Sequence, residues 1–261
     1  MTFRNFSFAL LLTALASSCT TTTATTTAIP FSQVTAVNVE IDYMPNAEPY
    51  TGNARGLADI WSITRTNLQR LYKGRTVTVP TTLPTMEKIT DVTGNVFSVD
   101  DILAIASRHR SMKNDGTKVA YYLVFLDGYL KDEATGKASQ DVLGVSIGDT
   151  GVVAMFKPVI KSADSGPINS GVTAFVEQST LTHELGHATG LVNRTLTMVA
   201  AHQDSAHGAH CTNTKCVMYW ENEGAAAARQ FITRYLTTGT ELLFGDECLA
   251  DADNASTAKG D

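Results

Sequence analysis

The sequence predicts an α/β protein in which a twisted mixed sheet supports one chemically active helix. Residues 36–43 alternate apolar and polar side chains, and residues 118–126 form a nearly continuous apolar run, as strands do. Residues 56–72 carry apolar side chains at helical spacing. Two histidines four residues apart, His183 and His187, follow a stretch with the same spacing. Strands that alternate with helical segments of this kind indicate a sheet covered by helices.

The remaining segments fit the same order. Residues 75–79 are a second strand, and residues 98–107 are a helix that opens on Ser98 as its N-cap. Residues 142–147 and 152–156 are strands joined by a glycine-rich turn. This hairpin directly precedes the histidine-bearing helix, so we expect it to supply an edge strand on which an extended peptide could pair.

The segment His183-Glu184-Leu-Gly-His187 predicts a zinc site with its own general base. Residues i and i+4 project from one face of a helix, so both imidazoles can bind one ion, with Glu184 beside a metal-activated water. Gly190 is placed to end this helix in a left-handed conformation. This order resembles the start of the metzincin pattern His-Glu-x-x-His-x-x-Gly-x-x-His, which implies a third ligand at position 193, but that residue is Asn193, a poor zinc ligand.

The third ligand is therefore expected further along the chain. His202, His207 and His210 are the candidates. A histidine that does not bind the metal could pair with Asp204, because ligating imidazoles usually donate their other N–H to a carboxylate or a carbonyl.

From His210 the chain reads His-Cys-x4-Cys-Val-Met, ending at Met218. This order resembles the archaemetzincins, a family of metzincin zinc peptidases, over residues 181–219. The resemblance implies a zincin (metzincin-like) domain with an active-site helix and a Met-turn, and an insertion between Gly190 and His210. It implies that His210 is the third ligand and that Met218 packs beneath the metal. Tyr219 is a further candidate, as an oxyanion contact.

The cysteines leave two alternatives open. The archaemetzincin pattern continues to a Cys-x-x-Cys pair that helps to bind a structural zinc, whereas this chain has only Cys248 beyond Met218. One disulfide among Cys211, Cys216 and Cys248, with one free thiol, is the favoured outcome. A second, structural Zn²⁺ held by the three thiolates and a spare histidine is the less favoured one, beside the catalytic Zn²⁺.

The N-terminus resembles that of a bacterial lipoprotein. An apolar run too short to span a membrane leads to Leu-Ala-Ser-Ser-Cys19, where Cys19 would be lipidated. The implied location is the bacterial cell envelope, on the periplasmic or outer surface side, or else secretion. The expected divisions are a signal peptide (1–18), a lipid-anchor cysteine and Thr-rich tether (19–30), the catalytic domain (31–250) and a polar tail (251–261).

Composition and net charge limit the classes of binding partner that are expected. The net charge is −6 and no basic stripe is present, which argues against nucleic acid. A protein or peptide substrate, a membrane contact through the N-terminal lipid only, and a monomer are expected. The function predicted is that of a zinc-dependent metalloendopeptidase. Two alternatives are a non-catalytic zinc-binding surface lipoprotein, which Asn193 favours, and a zinc amidase that acts on cell wall.

Overall fold

The computed structural model describes residues 29–54, 56–163, 170–238 and 241–258. The predicted signal peptide, Cys19 and all but the last two residues of the tether lie outside these ranges. Within them, no helix has both the length and the apolar character needed to span a membrane.

One mixed sheet organises the described part of the chain. Its strands are β1 (Ala36–Tyr43), β2 (Thr76–Thr78), β3 (Glu87–Lys88), β5 (Lys118–Leu126), β7 (Gly144–Ile147) and β8 (Val152–Phe156); β4 (Val96–Phe97) and β6 (Tyr129–Leu130) form a separate pair. The strand order is β2-β1-β5-β8-β7, with β3 also paired to β1. All pairs in this sheet are parallel except β7 with β8. The predicted mixed α/β fold and the hairpin that precedes the zinc helix are therefore confirmed.

The helices are α1 (Ser62–Leu71), α2 (Val99–His109), α3 (Lys157–Ser162), α4 (Ser170–Thr189), α5 (Ala225–Thr238) and α6 (Asp246–Thr257). The prediction for α2 is confirmed, since Ser98 and Asp101 form a reciprocal capping box at its start. The helix predicted over 56–72 begins only at Ser62, because the Trp61 amide is already engaged by the Asp59 carboxylate in a turn.

The polar tail predicted from residue 251 is wrong in its boundary, because α6 continues to Thr257. Although the composition of α6 is polar, one face of the helix is buried. This face is made by Cys248, Leu249, Asp251 and Ala252. Asp253 also forms a bidentate pair with Arg70 of α1, at 2.9 Å for both contacts. These contacts hold the C-terminal helix against the domain.

The position of α4 depends on a buried ion pair. Lys157, the first residue of α3, donates to Glu177 of α4, and the two side chains are 1% and 0% exposed. The second Glu177 oxygen accepts the Tyr50 amide at 2.8 Å, and the Lys157 ammonium lies 3.6 Å from the centre of the Tyr50 ring. Every charged atom therefore has a partner, as burial requires. Glu177 thus fixes α4 six residues before His183.

Replacing Lys157 by Met should strongly destabilise the fold, because the Glu177 carboxylate would remain buried without its cation. We expect a loss of about 3–5 kcal/mol in the free energy of unfolding, measured by urea denaturation. The double variant Lys157→Met/Glu177→Leu removes both charges and should recover much of that loss. A double variant no more stable than the single one would contradict this account of the pair.

Candidate metal centre

Three imidazoles converge at one point beside the sheet. His183 and His187 lie on the same face of α4, and their Nε2 atoms are 3.1 Å apart. His210 approaches from the loop that follows, with its ring centre 5.2 Å from that of His183 and 5.0 Å from that of His187. All three side chains are buried. The structure thus brings together the two local histidines and the preferred third one.

Two backbone carbonyls orient these rings. The Nδ1 atom of His183 lies 2.7 Å from the Val217 carbonyl, and Nδ1 of His210 lies 2.5 Å from the His207 carbonyl. Each contact places the proton on Nδ1 and leaves Nε2 as a lone-pair donor towards the centre. Burial, followed by the effect of nearby His210, lowers the pKa of His183 to about 4. Burial likewise lowers the pKa of His187. Both rings are therefore neutral near pH 7, the form that binds a metal.

The donor set fits Zn²⁺. With Zn–N bonds of about 2.0–2.1 Å, the ligand atoms of a tetrahedral zinc lie about 3.4 Å apart. The separation of 3.1 Å between the His183 and His187 Nε2 atoms is close to that value. Imidazole nitrogens are ligands that suit zinc. Imidazoles from His183, His187 and His210 therefore make up a site for one Zn²⁺.

Glu184 lies between this site and the edge strand. Its carboxylate accepts the Ser146 amide of β7, and a Cβ placed on Gly144 would lie only 3.1 Å from its Cγ atom. Burial, with a further contribution from Glu223, raises the pKa of Glu184 to about 8 in the metal-free protein. A group with a pKa in this range can both take and return a proton near neutral pH.

Met218 packs directly under α4. It is fully buried, and its sulfur lies 2.4 Å from the position that a Cβ on Gly186 would take. Only glycine at this point allows the methionine to pass below the histidines. Since the Val217 carbonyl next to it orients His183, this turn sets the height and the angle of the first metal ligand.

The chain turns away from the metal after Gly190. Gly190 has φ 99°, and a Cβ there would meet the Thr195 hydroxyl at 1.8 Å. Asn193 follows at φ 60°, exposed, and its amide points to Gln203 at 3.3 Å. Asn193 is thus no ligand, and the inserted residues carry the chain on to His210.

The two alternative third ligands have other partners. His207 stacks on Trp220, with ring centres 4.0 Å apart, and pairs with Asp204 at 2.8 Å. Asp204 therefore contacts His207, whose carbonyl in turn orients His210. His202 lies in a separate cluster with the cysteines. Tyr219 is half-buried beside Trp220, and its oxyanion role stays a prediction.

Glu223 was missed by sequence reasoning. It belongs to the short 3-10 helix 220–223 that follows Met218, and its Oε1 lies 3.0 Å from Nε2 of His210 and 3.9 Å from Nε2 of His183. In the sequence, Glu223 is marked only by its position five residues after Met218. That position alone does not distinguish a metal-site glutamate from an ordinary surface glutamate.

The cysteines form a second cluster. Cys211, Cys216 and Cys248 are buried free thiols, so the disulfide favoured by the sequence is not formed. Sulfurs of Cys216 and Cys248 lie 3.6 Å apart, and Nδ1 of His202 lies 3.3 Å from the Cys211 sulfur. Spacings of this order suit a tetrahedral ion better than a disulfide, which requires sulfurs about 2.05 Å apart.

Polar contacts around this cluster favour a thiolate at Cys211. The Cys216 sulfur accepts the Gly245 amide at 3.1 Å, and the Cys211 sulfur accepts the Asn213 amide at 3.4 Å. Hydrogen bonds from Cys216 and Cys248 lower the pKa of Cys211, whereas burial raises the pKa of Cys216 to about 12 and the hydrogen bonds with the other two thiols raise the pKa of Cys248. Asp251 of α6 lies 2.7 Å from Nε2 of His202, which turns Nδ1 towards the sulfurs. His202, Cys211 and Cys248 form a group that could hold a metal ion, and with the neighbouring Cys216 they would give three sulfurs and one imidazole, a ligand set of structural zinc.

No protein family model matches the chain, and no curated protein matches its sequence. Among solved structures, a zinc-dependent peptidase from Methanocorpusculum labreanum is similar, with a TM-score of 0.42 and 13% identity, over 82% of this chain and 99% of that one. Archaemetzincin from Archaeoglobus fulgidus, solved in complex with malonate, gives a TM-score of 0.41 and 12% identity over the same shares. The likeness thus extends over most of this chain at low sequence identity.

Replacing His210 by Ala should remove one zinc per molecule, because one of three imidazoles is lost. Replacing His207 by Ala is the matched control: the change is the same and lies in the same loop, and the zinc content should not fall. Metal content of the purified folded domain, measured by mass spectrometry, checks both. Equal zinc loss in the two variants would mean that His210 does not act as a ligand.

Replacing Cys248 by Ser should remove the other zinc and lower the melting temperature, because only the contact of Asp251 with His202 would still join α6 to the loop that carries His202. Structural zinc contributes directly to folding energy, so chelation should produce the same shift in the wild type. The zinc bound by His183 and His187 should remain in Cys248→Ser. A variant that keeps both zincs and its melting temperature would show that the thiols bind no metal.

Proposed function

We propose that this protein is a zinc-dependent metalloendopeptidase that hydrolyses peptide bonds. The observation that carries the proposal is the convergence of three buried imidazoles with a buried carboxylate, Glu184, next to the free edge of a sheet. A purely structural zinc site has no use for a carboxylate with a raised pKa placed between the metal and an open edge.

Glu184 is the general base. Zn²⁺ bound by the three histidines would polarise the scissile carbonyl and acidify a water molecule. Glu184 accepts the proton of the attacking water and passes it to the leaving amine as the peptide bond breaks. The Ser146 amide holds the carboxylate in place for both transfers, and the absence of a Cβ at Gly144 leaves room for the Glu184 side chain.

The edge strand β7 provides a place for the substrate backbone. Leu143 pairs with Phe156 of β8, so the backbone groups of Gly144 and the carbonyl of Ser146 point to the opposite side, where no further strand of the described chain pairs; the Ser146 amide is already taken by Glu184. An extended peptide can add there as another strand, with its main chain fixed by hydrogen bonds. This arrangement would bring a carbonyl of the peptide within reach of the metal and Glu184.

The second metal site is proposed to be structural. His202, Cys211 and Cys248 form a group separate from that of the catalytic histidines, and the Cys216 sulfur, 3.6 Å from that of Cys248, would complete a four-ligand set. A zinc there would join α6 to the loop that carries His210, and so would stabilise the catalytic site indirectly. The lipid anchor at Cys19 and a location in the bacterial cell envelope remain part of the proposal on sequence grounds.

Replacing Glu184 by Gln should keep both zincs and abolish cleavage, because the amide cannot accept a proton. General bases typically contribute about 100- to 10,000-fold to rate, and we expect a loss of at least that order in kcat for casein. Unchanged zinc content separates this result from loss of metal. A Glu184→Gln variant with wild-type turnover would contradict the mechanism.

The substrate class is tested with the wild-type enzyme. Cleavage of casein, blocked by a chelator and restored by Zn²⁺, supports the peptidase. Release of fragments from purified cell wall without casein cleavage would instead support an amidase, and activity on neither would favour a non-catalytic zinc protein.

A further inference from the structure

Glu223 places a fourth donor atom at the metal centre. Its Oε1 and the Nε2 atoms of His183, His187 and His210 all lie within 4.8 Å of one another. The distances from Oε1 to His210 and His183, 3.0 and 3.9 Å, bracket the separation of about 3.4 Å between ligands of a tetrahedral zinc. The carboxylate therefore stands where a fourth ligand would stand.

The direction of the contact supports coordination over a simple hydrogen bond. The buried Nε2 of His210 has no hydrogen bond of acceptable geometry, although Glu223 is near. Its ring is held by the His207 carbonyl at Nδ1, which leaves the Nε2 lone pair facing the group formed by the other imidazoles and Glu223. A lone pair and a carboxylate oxygen 3.0 Å apart repel each other unless a proton or a cation lies between them, and a shared Zn²⁺ would supply that cation.

We propose that Glu223 is a fourth protein ligand of this zinc in the enzyme without substrate, and that it leaves the metal when substrate binds. The first part rests only on the metal site, whereas the second rests on the proposed peptidase function. Three histidines alone would leave the fourth position of zinc to water at all times. With Glu223 bound, that position is filled by the protein itself until a substrate competes for it.

The placement of Glu223 suits such an exchange. Its side chain is 54% exposed, in contrast to the buried histidines, so it can swing into solvent without opening the core. It lies at the end of the 3-10 helix 220–223, next to Gly224, which forms a bridge with Val142 just before the edge strand β7. A peptide that adds to β7 would therefore approach the segment that carries this carboxylate.

The test compares Glu223→Gln with Glu221→Gln. Glu221 lies on the same 3-10 helix, is exposed and has no ion pair in the described structure, so both variants lose one negative charge from the same segment. Zinc affinity of the histidine site is measured by chelator competition, and Co²⁺-substituted protein is measured by visible absorption. Co²⁺ bound to thiolates has its own absorption, which distinguishes the cysteine site from the histidine site in the same spectrum.

We expect Glu223→Gln to weaken zinc binding and to change the cobalt spectrum, while Glu221→Gln leaves both unchanged. Loss of even an outer partner of a metal ligand costs roughly 10- to 100-fold in affinity, so a ligand should cost at least that much. Acetate added to Glu223→Ala should restore the wild-type cobalt spectrum, since it supplies the missing carboxylate. Identical affinities and spectra for the Gln variants would overturn the proposal.

Displacement is tested with a peptide hydroxamate, which binds zinc through its own oxygens. In its presence, the cobalt spectra of wild type and Glu223→Gln should become the same, because Glu223 has left the metal in the wild type. Spectra that still differ would overturn the displacement while leaving the ligand role intact. A wild-type enzyme that binds zinc as described but cleaves no peptide would instead contradict the proposed function alone.

Discussion

A single hydrogen-bonded loop, from His210 to Met218, holds both metal centres together. The Cys211 amide donates to the Met218 carbonyl at 2.8 Å, which closes the loop at its two ends. One end carries His210 and the other carries the Val217 carbonyl that orients His183. Cys211 and Cys216 on the same loop face the other cluster. A change in the shape of this loop would therefore alter the geometry of both sites at once.

Through this connection, a metal in the cysteine cluster would also support the proposed catalytic site. The segment between Gly190 and His210 is long, and the proposed third metal ligand, His210, lies at its end. Long loops position side chains less well than helices do. The cysteine cluster joins this segment to α6, which is itself held to α1 by the Arg70–Asp253 pair. The third histidine thus gains a rigid support although it comes from outside the active-site helix.

The sequence predicts well the parts of this site that are local. His183, Glu184 and His187 depend only on the helical period, and the hairpin before them depends on apolar runs around a turn. The choice among His202, His207 and His210 is different, because it depends on how an insertion folds back on the domain. His207 stacks on Trp220, and His202 pairs with Asp251. Both contacts join residues that are distant in the sequence, so no local sequence pattern predicts them.

The sequence-based predictions that were wrong or incomplete also depend on contacts between distant residues. Residues 251–257 look polar because Asp251, Asp253 and Asn254 dominate them, yet two of these side chains have partners elsewhere in the fold. The sequence favoured a disulfide because the spacing of the cysteines does not indicate that a histidine from the segment between Gly190 and His210 lies beside them. Glu223 comes close to the three histidines only because the turn at Met218 brings the 3-10 helix 220–223 against α4.

Diffraction data collected at the zinc absorption edge would test the central claim most directly, since they locate each zinc without reference to activity. The account predicts two anomalous peaks. One lies among the Nε2 atoms of His183, His187 and His210, and the other lies among His202 and the three cysteine sulfurs. A catalytic peak bound by His202 or His207, or no peak near His210, would contradict the account.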